Sequence, residues 1–327
     1  MKIVVTGGAG FIGSNYLRKL CSGAYPAWAD ADVICLDALT YAGHRENLEP
    51  VADRLTLVVG DIVDRDTVAD VLAGADVIVH FAAESHVDRS IMGAEPFVRT
   101  NVLGTQVLLD VARDQKVGRF VHVSTDEVYG SIDTGSWPET HPLEPNSPYS
   151  ASKAGSDLLV RAFHRTHGMD AVITRCSNNY GSHQTPEKVI PLFVTNLLDG
   201  KQVPLYGNGL NVRDWLHVDD HCRGIQLVAE GGRAGEVYNI GGGTELSNRE
   251  LTEQILAALG ADWDSVVPVE DRKGHDLRYS VDITKIATEL GYAPQVPFEQ
   301  GLADTVQWYR DGRSWWEPLK AALAPAR

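Results

Sequence analysis

Apolar residues in this chain fall into short blocks with the length and β-branched content of strands. The first is Lys2-Ile3-Val4-Val5-Thr6. Asp32 to Leu36, Leu55 to Val59, Val77 to Phe81, Arg119 to Val123 and Ala171 to Arg175 follow. Segments of helical spacing separate them. Phe11 to Leu20 is one, and a segment from near Tyr149 to about His167 is another. Phe97 to Arg113 predicts a long amphipathic helix, with Val98, Val102, Leu108, Leu109 and Ala112 near helical spacing. Strands separated by helices of this length imply right-handed parallel βαβ units. The fold class is therefore α/β, with a doubly wound parallel sheet. Past Tyr180-Gly181 the pattern loosens as far as Trp215. A helix around Gly224 to Ala229 and a strand, Val237 to Ile240, read as a return to the sheet. From about Thr244 the chain reads as a smaller α+β unit, with helices near Arg249 to Leu259 and Ile283 to Glu289. The expected division gives residues 1–180 and 215–243 to a cofactor-binding domain. Residues 181–214 and 244–327 go to a smaller, C-terminal α+β substrate domain.

Composition narrows the function classes. Of 327 residues, 43% are hydrophobic, which is ordinary for a globular protein. No stretch approaches the ~20 apolar residues of a membrane span. The first strand begins at once, without a secretory leader pattern, so a cytoplasmic protein is expected. A formal net charge of -15 argues against nucleic acid or anionic membrane as a partner. Any diphosphate ligand must then be held by local positive charge. Cys21, Cys35, Cys176 and Cys222 lack C-x-x-C spacing and read as small buried residues, not as disulfide or zinc ligands. His86 and His275 have no second ligand at metal spacing, so no metal is expected.

The first strand runs into Gly7-Gly8-Ala9-Gly10-Phe11-Ile12-Gly13, a G-x-x-G-x-x-G turn that opens a helix. Glycines allow a tight turn and close approach to a pyrophosphate, and the helix N-terminus offers free N–H groups. Placement between a strand and a helix points to a Rossmann-type dinucleotide site. Asp37, at the end of the second strand, stands where an acid binds the adenosine ribose. Its carboxylate would repel a 2′-phosphate, so NAD is favoured over NADP. Asp61 and Ile62 follow the third strand, suited to the adenine amino group and ring. Small residues after the fourth strand, Ala82-Ala83, leave room for a cofactor.

The fifth strand ends in Ser124-Thr125-Asp126-Glu127-Val128-Tyr129-Gly130, and a Tyr-x-x-x-Lys pair, Tyr149 and Lys153, opens the next helix. Four residues apart, Tyr149 and Lys153 share a helix face. A nearby ammonium favours the phenolate that a Tyr base requires. Two adjacent carboxyls in a partly dry site push their pKa values apart, so one can act as acid and the other as base. Strand neighbours face opposite ways. The Asp126-Glu127 pair is therefore expected in a turn or short helix beyond the strand.

These stretches, with Ala82-Ala83-Glu84-Ser85-His86-Val87-Asp88-Arg89-Ser90, Pro148 to Lys153, Cys176 to Gly181, Pro186-Glu187-Lys188, Arg213-Asp214-Trp215 and Asp271 to Asp276, resemble the extended short-chain dehydrogenase/reductase family. Within it the sugar-nucleotide dehydratase branch is nearest, because 4-epimerases of this fold usually lack the Asp-Glu pair. Lys273 and Ser182 stand where the family usually has proline, and the loop between Gly130 and Pro148 is shorter than in some members. The resemblance implies removal of water across C5 and C6 of dTDP-glucose by an NAD-dependent homodimer. Its interface would be built from the helices at 97–113 and 149–167. It assigns Tyr149 to the C4 hydroxyl, Thr125 to the C4 oxygen, Glu127 to C5 as base and Asp126 to C6 as acid. Lys153 completes the catalytic set. The resemblance carries cofactor contacts onto Phe11, Ile12, Asp37, Leu39, Thr40, Asp61, Ile62, Phe81, Ala82, Ala83, Ser85, Thr100, Tyr149, Lys153 and Asn179, beside Gly7, Gly10 and Gly13. Substrate contacts fall on Ser85, Thr125, Asn178, Lys188, Val189, Pro204, Leu205, Tyr206, Arg213, Asn248, Asp271, Arg272, His275 and Tyr279. Arg213 suits the diphosphate best, since a guanidinium fork matches phosphate oxygens. Its plainer reading is a surface ion pair with Asp214. Two other functions remain open on the sequence: a sugar-nucleotide 4-epimerase, and a non-enzymatic NAD-sensing regulator.

Overall fold

The computed structural model describes residues 1–272 and 274–323. Lys273, the departure noted above, lies outside the described residues. The chain runs β1 (Lys2–Thr6), α1 (Phe11–Cys21), β2 (Asp32–Asp37), β3 (Thr56–Val59), α2 (Arg65–Leu72), β4 (Val77–His80), α3 (Val87–Met92), a single turn α4 (Glu95–Phe97), α5 (Thr105–Asp114), β5 (Arg119–Thr125), α6 (Pro148–His167), β6 (Ala171–Cys176), β7 (Asn178–Tyr180), α7 (Val189–Leu198), β8 (Val203–Tyr206), β9 (Val212–His217), α8 (Val218–Gly231), β10 (Val237–Ile240), β11 (Glu245–Ser247), α9 (Asn248–Leu259), β12 (Val266–Val269), α10 (Thr284–Leu290), α11 (Phe298–Asp311) and α12 (Arg313–Leu323).

Seven parallel strands form the main sheet in the order β10-β6-β5-β4-β1-β2-β3. Alternate residues feed cores on its two faces. Ile3, Val5, Val79 and Val121 pack under α1 and α8 with Tyr16, Leu17 and Ile225. Val4, Ile78 and Phe120 pack under α2, α5 and α6 with Leu108, Leu109 and Val160. Strand order reverses between β1 and β4, and such a switch point opens a crevice at the strand C-terminal ends. A smaller unit lies beyond β6. It has a three-stranded sheet, β11-β9-β7, and a two-stranded one, β12-β8. Its core joins Tyr180, Phe193, Trp215, Leu251, Leu302 and Trp316.

One expected element changes form. The helix anticipated over Phe97 to Arg113 is three pieces: α4, a π-helical stretch Val98–Gly104, and α5. The wider π turn shifts the register of side chains, and such turns favour functional positions. Val98 is 52% exposed instead of facing the core. Asn101 is buried, accepting from the Glu84 amide (2.8 Å) and donating to the Glu84 carbonyl (3.0 Å) and Ser152 Oγ (2.8 Å). The π turn thereby ties the segment after β4 to α6. Three helices that the pattern did not separate, α7, α11 and α12, join α9 in the core of the smaller unit. Among the described residues no helix is long and apolar enough to cross a membrane.

Candidate active site

A cleft of about 340 Å³ opens at the switch point. One wall is the turn after β1. Gly7 has φ +70°, and a Cβ there would lie 2.5 Å from the Ala82 amide nitrogen, so only glycine lets these two loops meet. The turn leads into α1, whose first N–H groups face the cleft without a side-chain cap. Gly10, Phe11, Ile12, Gly13, Asp37, Thr40, Asp61, Ile62, Phe81, Ala82, Ala83, Ser85, Thr100, Tyr149, Lys153 and Asn179 line the cleft with Gly7. The bare helix N-terminus and a turn that a Cβ would fill fit the phosphates of a dinucleotide. Leu39 does not line it. Its amide, at φ +50°, donates to Asp37 Oδ1 (2.8 Å). Asp37 Oδ2 accepts from the Ala9 amide (2.8 Å), so both carboxylate oxygens are held.

The cleft is also lined by the residues expected to carry the chemistry. β5 stops at Thr125, whose hydroxyl caps a 3₁₀ turn, Asp126–Tyr129, by accepting from the Glu127 amide (3.3 Å). The turn ends at Gly130, φ +89°. Asp126 and Glu127 therefore leave strand geometry and both line the cleft. Ser147 and Ser150 form a capping box that starts α6, and Pro148 occupies its first turn. That start places Tyr149 and Lys153 one turn apart, both buried, on the cleft wall. The Lys153 ammonium donates to the Val123 carbonyl (2.8 Å).

Charge separates the two carboxyls. Burial pushes Asp126 well above the ordinary carboxyl range, and the charges of Glu127 and Asp214 push it further. Asp126 Oδ1 accepts from Thr125 Oγ1 (3.3 Å), while Oδ2 is buried without a hydrogen-bond partner among the described residues. Burial raises Glu127 too, but the Arg213 and Lys188 cations pull it back. The shift toward the protonated form is thus stronger at Asp126, while nearby cations oppose it at Glu127. Burial raises the Tyr149 phenol well above its usual value, and Glu127 and Cys176 add to this. Burial lowers Lys153 to about 8, against the pull of Asp157.

Of the expected substrate residues, Ser85, Thr125, Asn178 and Lys188 line the cleft. The others lie outside its lining, on the smaller unit. Arg213 is buried and stacks on the Tyr279 ring at 4.1 Å. It donates to the carbonyls of Val212 (2.7 Å) and Asp276 (3.0 Å), while Asp214 accepts from the Gly242 and Thr244 amides. The surface ion pair with Asp214 is thereby ruled out. Arg272 sits over the Tyr206 ring and pairs with Asp88 (3.1 Å). His275 Nδ1 lies 2.6 Å from Asp271 Oδ1. Arg213, Arg272 and Tyr279 share the electrostatic surroundings of Glu127. Val189, Pro204, Leu205 and Asn248 stand at α7, β8 and α9, around rather than in the cleft. Sequence reasoning passed over Glu84, Gln184, Thr185 and Glu187 on the cleft wall, and Asn101 behind it. Glu187 stood inside a quoted motif, whereas nothing in the pattern marked Gln184 or Asn101.

Proteins of known activity share this fold. A dTDP-glucose 4,6-dehydratase of Streptomyces niveus is 62% identical over 323 residues, covering 98% of this chain and 96% of that protein. A crystal structure of the dTDP-glucose 4,6-dehydratase of Streptomyces venezuelae, with NAD bound, superposes with a TM-score of 0.97 at 67% identity, over 98% of this chain and 100% of that one. The UDP-glucose 4-epimerase of Thermotoga maritima, solved with UDP-glucose, shares the fold at a TM-score of 0.89 and 32% identity, over 95% and 99%. The family model described as GDP-mannose 4,6 dehydratase matches residues 4–305. The chain belongs to this dehydratase family of extended short-chain dehydrogenase/reductases.

Proposed function

We infer that the protein is an NAD-dependent hydro-lyase that converts dTDP-glucose to dTDP-4-keto-6-deoxyglucose and water. One observation carries the reading. Two carboxyls on a single turn, Asp126 and Glu127, face one cleft with a Tyr-x-x-x-Lys pair, and their surroundings differ: burial and neighbouring carboxyls favour a proton on Asp126, while the Arg213 and Lys188 cations oppose one on Glu127. Elimination needs an acid and a base on the same sugar, and epimerisation does not. The relatives supply the support for the dTDP-glucose moiety.

The C5 proton of glucose is not acidic. A ketone at C4 makes it so, because the carbanion delocalises as an enolate, and the C6 hydroxyl then lies β to a carbonyl. Bound NAD would accept the hydride from C4 and return it at C6, so no oxidant is consumed overall. Tyr149 takes the C4 hydroxyl proton, and Thr125 hydrogen-bonds the C4 oxygen. Lys153 supplies positive charge to the phenol and a donor to the cofactor ribose. Glu127 removes the C5 proton, and Asp126 protonates the departing C6 hydroxyl, which leaves as water. Glu127 then gives its proton back to C5. At that point Tyr149 carries one proton more and Asp126 one fewer. Thr125, beside both, offers the return path.

The smaller unit, with Lys188, Arg213 and Arg272, supplies local cations for the diphosphate in a chain of net charge -15. This supports assigning residues 1–180 and 215–243 to the cofactor and 181–214 and 244–327 to the sugar nucleotide. A homodimer is supported by exposed apolar side chains, Met92 on α3, Val98 and Leu103 on the π turn and Leu158 on α6; α3 and the π turn both pack against α6. A cytoplasmic location remains the sequence-based reading. The direct test incubates the purified protein with dTDP-, UDP-, GDP- and CDP-glucose and looks for a 4-keto-6-deoxy sugar. Production from dTDP-glucose is expected. A 4-epimer without loss of water would overturn the assignment.

A further inference from the structure

We propose that Trp315, on the C-terminal helix α12, is a positioning residue of the cofactor site. It acts through Asn47 on the glycine-rich turn and slows loss of the dinucleotide. The inference rests on the large cleft being the NAD site.

Ala9 sits in the middle of the Gly7–Gly13 turn and is fully buried. Its peptide groups are held from two directions. The amide donates to Asp37 Oδ2 (2.8 Å), and the carbonyl accepts from Asn47 Nδ2 (2.9 Å) and the His44 amide (3.0 Å). Asn47 is itself fully buried. Its backbone carbonyl accepts from Arg18 (2.8 Å), and its Oδ1 accepts from the Trp315 indole N–H (2.9 Å). Every polar group of the Asn47 side chain thus joins the turn to α12.

Trp315 is placed by other rings. Its ring meets Trp308 at 5.0 Å and His183 at 5.5 Å, both edge-on, and lies 6.1 Å from His44. Its neighbour Trp316 is buried in the core of the smaller unit and donates to the Tyr309 carbonyl (2.7 Å). A helix rooted in the smaller unit therefore reaches across to the dinucleotide turn. The same contact fixes the root of the segment between β2 and Asn47, where Ala38, Thr40, Ala42 and Gly43 line the cleft. In a reaction that removes a hydride and returns it to the same sugar, a dinucleotide that stays bound is an advantage. A latch on the turn that cradles it serves that end.

Linkage makes the proposal testable without any variant: if α12 favours NAD binding, NAD must favour α12 in place by the same factor. Amide hydrogen exchange of residues 313–320 in the parent protein should therefore slow when NAD is bound. The variant test is Trp315→Phe, which keeps an aromatic ring and removes the N–H. A lost hydrogen bond of ordinary net worth predicts roughly three- to tenfold faster release of NAD, measured by chase of the holoenzyme with labelled NAD. KM for NAD should rise without a matching fall in kcat. Parent-like release from Trp315→Phe overturns the proposal, even if the variant melts earlier. So does exchange in α12 that ignores NAD, or a fall in kcat equal to the change in release. A parent protein that neither carries nor takes up NAD would instead remove the reading of the cleft itself.

Discussion

Replacing Glu127 with Gln separates the two halves of the reaction. The substitution keeps size and hydrogen-bonding capacity while removing the base. General-base catalysis contributes typically ~10²–10⁴-fold, or about 3–5 kcal/mol of barrier. The structure says what should not change. Glu127 is opposed by Arg213 and Lys188, so Gln leaves two cations free of a competing carboxylate. Binding of an anionic sugar nucleotide should hold or tighten, and the loss should appear in kcat. Oxidation at C4 depends on Tyr149 and Lys153, which the change leaves in place. Reduced nicotinamide should therefore accumulate on the variant and be visible by absorbance, while C5 fails to exchange with solvent deuterium. Tyr149→Phe should block oxidation and exchange together. A Glu127→Gln variant that dehydrates at the parent rate, or exchanges C5 normally, would show that another residue is the base.

The remaining predictions concern pH and assembly. The carboxyl pair titrates as a unit, so kcat should follow a bell whose limbs belong to the pair. Because the Lys188 ammonium lowers Glu127, Lys188→Met should move the acid limb of kcat to higher pH; an unmoved limb would deny that contact. His122 is fully buried, and burial lowers its pKa from 6.5 to about 4, with the Lys153 cation adding to this. The unfolded chain then binds a proton below about pH 6.5 that the folded chain refuses until about pH 4. Stability should fall as pH drops through that window, by ~3 kcal/mol at most from this residue. Urea titrations of His122→Gln should show a shallower decline, and a slope equal to the parent's would place the proton elsewhere. Light scattering should report a dimer, and Leu158→Arg, on the exposed face of α6, should disperse it. A parent that is monomeric at micromolar concentration would end the dimer proposal.

The sheet was legible because its strands are apolar blocks and its helices are long. The glycine turn was legible because Gly7, Gly10 and Gly13 flag a backbone constraint directly in residue type. The 3₁₀ turn at Asp126 followed from a chemical demand placed on two neighbours. The π turn at Val98–Gly104 left no such mark. The residues there fit unbroken α-helical spacing, so Val98 looked buried, and only tertiary contact with Glu84 and Ser152 determines where Asn101 points. The short strands and helices of the smaller unit were poorly resolved for another reason. Their apolar residues serve a core assembled from distant segments, so local periodicity is weak. The link from Trp315 to Asn47 spans 268 positions and could not be read from spacing at all.

The fold does not choose between elimination and epimerisation, since 4-epimerases share it; the proposed mechanism puts the choice in a few residues at the end of one strand. Had β5 continued past Thr125, Asp126 and Glu127 would point to opposite faces of the sheet, and one would be lost to the α-helical layer. Two local devices prevent this. The Thr125 hydroxyl caps the amide of Glu127, and Gly130, at a φ closed to most side chains, turns the chain away against the Glu144 carbonyl. Between them the backbone coils once, which brings both carboxyls to the cleft. Burial then raises both pKa values; Glu127 and Asp214 push Asp126 further against Arg213, while Arg213, Lys188 and Arg272 together oppose the rise at Glu127. On the proposed mechanism, the division of labour between acid and base depends on where the smaller unit sets its cations. A substitution in that unit can silence the chemistry without touching either carboxyl.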